Sequence, residues 1–168
     1  MKLLAVDPSS TATGYAVFER GDVIKYGVLK SPKKDYWDRI VVTAERMLHV
    51  ASTTQADVIV VEVSSLGVAQ KLAGRGRGLA HYGEAVGAIC GWLVAWGYDI
   101  HRVPSSEWTR SYRCPGNTRK QASKKERQEL MAIEHKYKPE GDSGCDASDA
   151  IAMGAWWLRE ERARKLTS

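Results

Sequence analysis

Residues 57–62 read Asp-Val-Ile-Val-Val-Glu. Four consecutive β-branched residues leave no polar face to turn toward water, so a strand built from them is buried on both sides. The sheet containing it therefore needs helices on both faces. Residues 2–6, Lys-Leu-Leu-Ala-Val, read as a second buried strand. Each run stops at an acid, Asp7 in one and Glu62 in the other. A carboxylate at the end of a buried strand is costly unless something positive sits beside it.

The intervening chain supplies the other elements. Residues 14–18 and 23–29 read as strands joined by a hairpin turn at Arg20-Gly21-Asp22, which makes an antiparallel meander with the first strand. Residues 37–51 have helical spacing, with Asp35 as N-cap. Residues 64–78 are polar, Gly-rich and basic, and read as a loop. A helix follows over 79–96, with Gly83, Gly87 and Gly91 along one face. Three helix-weakening glycines on one face require a packing reason, either the sheet or another helix. Residues 98–103 make a fifth strand and 114–118 a loop. Residues 123–137 form a helix, with Ser123 and Glu126 as a capping box, and 139–144 a turn. The last helix runs from Asp146 to about Arg162. The expectation is an α/β fold over residues 1–168 as a single domain, with a five-stranded mixed sheet of three antiparallel strands and then parallel ones.

Charge is uneven. The chain carries +5 overall, yet residues 102–138 hold ten Lys/Arg against four Glu. A basic run is commonly a solvated face, but beside a carboxylate site it suits a polyanion. The three cysteines are widely spaced without a C-x-x-C, which argues against a zinc site or a disulfide framework. The opening apolar run is too short for a signal peptide, and residues 85–96 are too few to span a bilayer. The expectation is a cytoplasmic protein without a membrane partner.

Asp146 and Asp149 stand three residues apart at the start of the last helix and share a face. If the first and fourth strands are parallel neighbours, Asp7 and Glu62 lie side by side, and the last helix can bring its acids to them. Such a cluster repels itself unless it holds divalent cations through its oxygens. The plainer readings are an Asp7 carboxylate bonded to the amides of Ser9 and Ser10, a Glu62–lysine pair, and Asp146 as an N-cap. On the metal reading, the small residues after Asp7 make a tight turn with room for a phosphate.

The segments LLAVDPSSTATGYAVFE, VIVVE, GEAVGAICGWL, ASKKE and DASDAIAMGAWW, in this order, resemble the RuvC family of Holliday-junction resolvases within the RNase H-like superfamily. The resemblance implies four metal-binding acids at Asp7, Glu62, Asp146 and Asp149, with two Mg²⁺ ions for which Mn²⁺ can substitute, and no small-molecule cofactor. It places a phosphate-steadying lysine at Lys124, or at Lys125 if the register slips by one. Arg110 stands near the place of a second family lysine, and Leu66 is the nearest residue to the family's inserted apolar side chain. Ser9, Ser10, Arg75, Arg77, Arg113 and Lys120 complete the nucleic-acid candidates. Paired symmetric nicks in a four-way junction, in DNA recombination and repair, imply a homodimer, with Gly83, Gly87 and Gly91 as a candidate interface.

Three rivals stand beside it. A YqgF-like RNA-processing nuclease shares the early acid and the length. An actin-like ATPase shares the phosphate turn but needs about twice the chain. A junction-binding protein that does not cut shares everything but the chemistry.

Overall fold

The computed structural model describes residues 1–64, 77–114 and 117–167, with side chains except at 77–79 and 117–119. Strands β1 (Lys2–Asp7), β2 (Ala12–Glu19), β3 (Asp22–Lys30), β4 (Val58–Val63) and β5 (Ile100–Pro104) form one sheet in the order β3-β2-β1-β4-β5. The first three are antiparallel, and β4 and β5 run parallel to β1. Arg20 and Gly21 both have positive φ, as a tight two-residue hairpin requires.

Both faces are covered. Because side chains alternate along a strand, Leu4 and Val6 of β1 pack with Ile59 and Val61 of β4 under helices α1 (Tyr36–Thr54) and α2 (Arg77–Ala95). Leu3, Ala5 and Val60 point the other way, toward the C-terminal helix α5 (Asp146–Thr167). Asp35 caps α1 by accepting from the amides of Trp37 and Asp38 at 2.8 and 3.0 Å. Among the described residues, no helix is long and apolar enough to cross a membrane.

One local expectation is corrected and one element is new. The segment expected as a loop over 114–118 contributes to a hairpin of β6 (Arg113–Cys114) and β7 (Asn117–Gln121). A short helix α3 (Ser105–Thr109), not anticipated, follows β5 and buries Trp108. Helix α4 (Lys124–His135) begins at the expected capping box, where the Ser123 hydroxyl accepts from the Glu126 amide and the Glu126 carboxylate from the Ser123 amide.

The glycines of α2 turn away from the sheet. Ala85, Ile89 and Leu93 are its buried stripe, and residues two positions earlier lie about 200° around a helix. A β-carbon built at Gly83, Gly87 or Gly91 meets nothing within 4 Å among the described residues. Packing on the chain's own sheet is therefore not their role.

Candidate active site

The parallel pairing Val6↔Val61 ends one residue short of Asp7 and Glu62. The two acids thus follow the same register position on adjacent strands. By alternation both project to the face that α5 covers. Helix α5 reaches them because Gly14, paired with Asp7 across β1–β2, lacks a side chain. A β-carbon there would lie 2.0 Å from the Asp146 carbonyl oxygen. The N-terminus of α5 is held by Asp142, whose carboxylate accepts from the amides of Asp146, Ala147 and Ser148 at 2.8, 3.2 and 3.0 Å. Asp142 does the capping, so Asp146 and Asp149 are left on the first turn with their carboxylates available to the sheet edge.

Among the described residues, Lys124 and Arg127 make ion pairs with the acids of α5. The Lys124 ammonium stands 3.2 Å from Asp149 and 4.0 Å from Asp146. Arg127, one turn along α4 and buried, donates from Nε to Asp149 Oδ1 at 3.0 Å and from Nη2 to Oδ2 at 3.3 Å. Glu62 accepts from the Trp108 indole N–H at 2.8 Å. The electrostatics are those of crowded negative charge. Burial, then Glu62 and Asp149, raise the Asp7 carboxyl well above its ordinary range, against the pull of Lys124. Burial pushes Glu62 up to about 7, although the Trp108 hydrogen bond opposes it. Burial also raises Asp146, with Lys124 opposing. Burial draws the Lys124 ammonium down, but Asp149 and Asp7 outweigh it, and its pKa is raised.

The four carboxylates were expected to converge on one point and to hold two divalent cations. Among the described residues, no three acidic, histidine or cysteine side chains stand close enough together to hold one ion. Lys124 and Arg127 both contact the Asp149 carboxylate. The donor chemistry does fit a hard divalent cation, since every donor is a carboxylate oxygen. The Lys124 side chain is 56% exposed, whereas that of Arg127 is 7% exposed. Asp7, Glu62, Asp146 and Asp149 are the residues that would hold the ion.

The plainer readings of the acids fare differently. The Ser9 amide goes to Thr13 Oγ1 and the Thr11 amide to Ser9 Oγ, so the turn after Asp7 is closed by its own hydroxyls. Ser9 and Ser10 are partly buried there. Lys124, not Lys125, contacts the acids; Lys125 is exposed. Arg110 donates to the Ser106 carbonyl on its own short helix. Arg113 and Lys120 are exposed on the β6–β7 hairpin. Arg77 opens α2, and its side chain, Leu66 and Arg75 lie outside the described residues.

Thermus thermophilus RuvC, in complex with a Holliday-junction substrate, superposes with a TM-score of 0.67 at 19% identity, over 96% of each chain. Fowlpox virus resolvase, in complex with substrate Holliday-junction DNA, gives 0.56 at 12% identity, over 95% of this chain and 98% of that one. The yeast mitochondrial Holliday-junction resolvase gives 0.58 at 16%, over 94% of this chain and 77% of that one. The fold is RNase H-like. No family model matches the sequence, and no curated protein matches it.

Three residues of the site were not singled out from the sequence. Arg127 falls at i, i+3, i+4 spacing with Leu130 and Met131, so a cation on the apolar stripe of α4 was the available signal. Asp142 had a weaker signal, four residues before Asp146 in a turn. Trp108 had none, because its contact with Glu62 spans 46 residues.

Proposed function

We propose that this chain, as a single nuclease domain over residues 1–168, cuts four-way DNA junctions by paired symmetric phosphodiester hydrolysis. The observation that supports this best is the adjacency of Asp7 and Glu62 at one sheet edge, with Asp146, Asp149 and Lys124 brought against them, on a fold shared with junction resolvases. Two divalent cations, Mg²⁺ or in its place Mn²⁺, when bound supply an activated water and neutralise the leaving oxygen. The chain's residues do the rest. The four acids bind and orient. Lys124, released from Asp149, offers its ammonium to a non-bridging oxygen of the scissile phosphate. The turn at Ser9 and Ser10 leaves room for that phosphate. Arg110, Arg113, Lys120 and Lys125, with Arg75 and Arg77, contact flanking phosphates without reading sequence. Two cuts related by a two-fold axis call for a homodimer, and the open face of α2 at Gly83, Gly87 and Gly91 is where a second copy would pack.

A second reading, junction binding without cutting, has one observation in its favour: Lys124 and Arg127 already neutralise Asp149. Incubating the protein with a labelled synthetic four-way junction separates the two, with Mg²⁺, Mn²⁺ or EDTA and a linear duplex of the same arms as control. Symmetric nicks in the junction alone, lost in EDTA, support the enzyme. Binding without nicks in any metal supports the second reading, and cutting confined to RNA-containing strands moves the substrate to RNA.

A further inference from the structure

Glu62 and Asp149 come from a strand and a helix 87 positions apart in the sequence, and a buried link joins them. The Trp108 indole N–H donates to Glu62 Oε2 at 2.8 Å. The Arg127 guanidinium lies over the Trp108 ring, 5.1 Å from its centroid. Arg127 then closes on both oxygens of Asp149, while its remaining Nη1 donates to the Ala122 carbonyl at 2.8 Å. Trp108 is 1% exposed and Arg127 6%. Neither has a packing need for its polar atoms: an apolar residue would fill the site of either without desolvating an N–H or a charge. Apart from the Arg127 Nη1 bond to the Ala122 carbonyl, their polar groups are spent on two acids of the site.

We infer that Trp108 and Arg127 are positioning residues that set the separation and orientation of Glu62 and Asp149 toward a divalent cation. Their role rests on the reading of these acids as cation ligands. The division of labour with Lys124 follows from burial and geometry. A carboxylate has about four lone-pair directions. Arg127 takes one on each Asp149 oxygen and stays, because its planar fork is locked between the Ala122 carbonyl, the indole face and Asp149. Lys124 holds a third from the solvent side and leaves when a cation enters. Asp149 therefore presents a fixed lone pair to the ion, and Glu62, tied on Oε2, presents Oε1.

Manganese binding by calorimetry, in the absence of DNA, tests this on the full chain. Trp108→Phe keeps a ring over Arg127 and removes the N–H. Arg127→Lys keeps a charge and removes the two-pronged contact. Partners that orient metal ligands are typically worth about tenfold to a hundredfold in affinity, and each variant is expected to bind Mn²⁺ more weakly by that factor. Junction binding in EDTA should stay at the wild-type level. A merely structural role would lower the urea midpoint of each variant and leave the Mn²⁺ affinity of the folded fraction alone; that result overturns the inference. So does wild-type affinity in Arg127→Lys with loss only in Arg127→Met, since charge alone would then suffice. Should Arg127→Lys fail to fold, Trp108→Phe decides by itself. Wild-type protein that binds Mn²⁺ but cuts no junction defeats the proposed function and leaves this inference standing. Wild-type protein that cuts, with variants that bind Mn²⁺ unchanged, does the reverse.

Discussion

Gly14 and Asp146 meet backbone to backbone: a β-carbon on Gly14 would fall 2.0 Å from the Asp146 carbonyl oxygen and 2.8 Å from the Ala147 nitrogen. No flexible side chain is involved, so neither partner can give way without moving a strand or a helix. The same glycine pairs with Asp7 in the sheet. One missing side chain therefore sets how near the acids of α5 come to the acids of β1 and β4. A second close approach lies two turns along α5, where a β-carbon on Gly154 would come 2.3 Å from the Phe18 ring.

Gly14→Ala should cost about 3 kcal/mol, the upper end of what overpacking a core usually costs. It should also lower cutting far more than the loss of folded protein explains, because the helix that carries Asp146 and Asp149 is pushed off the sheet edge. Urea denaturation and the cutting rate at a temperature where the variant is folded check the two effects separately.

The pH dependence of the metal-free protein has a definite sign. Glu62 titrates at about 7 in the folded chain against an ordinary 4.5. Between these values the folded state holds a proton that the unfolded state has released. Its stability contribution is thus fully present below about pH 4.5 and is lost as pH rises through about 7. Denaturation in EDTA across this window should show the wild type losing stability relative to Glu62→Gln as pH rises, with no further relative change above about pH 8. Added Mn²⁺ should remove the difference by favouring the ionised acids.

Lys124 and Lys125 are neighbours in the sequence with different surroundings. Lys124 touches Asp149 and Asp146, whereas Lys125 is exposed. Lys124→Ala should slow junction cutting by about a hundredfold or more, in the range for removing one donor to a transition-state charge. It should weaken junction binding far less, since a single phosphate contact is one of many. Lys125→Ala should leave cutting near wild type. Single-turnover rates and gel-shift titrations of the two variants decide between them.

The legible parts of the fold were those with strong local signals. The runs ending at Asp7 and Glu62 read as buried strands, while their parallel adjacency was only a condition of the site reading, met by the β1–β4 pairing. The capping box at Ser123 and the Asp146/Asp149 spacing marked two helix starts. The β6–β7 hairpin was missed because Asn117–Gln121 is polar throughout, without the alternation or β-branched content of a half-buried strand. The glycine stripe of α2 was visible, but a stripe defines a face and not what that face meets. The position of Arg127 on the apolar stripe of α4 was visible, but its partners, Trp108 and Asp149, meet it only after α3, α4 and α5 have packed.

The central claim is that the carboxylates at this sheet edge carry out the chemistry and do not merely neutralise Lys124 and Arg127. Asp7→Asn tests it most directly, because Asp7 feels the other three acids and its loss removes one negative charge without changing shape. Cutting and binding of one labelled four-way junction are measured side by side, cutting in Mg²⁺ and binding in EDTA. The expected result is cutting lowered by about a thousandfold or more, as for removal of a group essential to the transition state, with binding unchanged or tighter. Full cutting by Asp7→Asn would contradict the account.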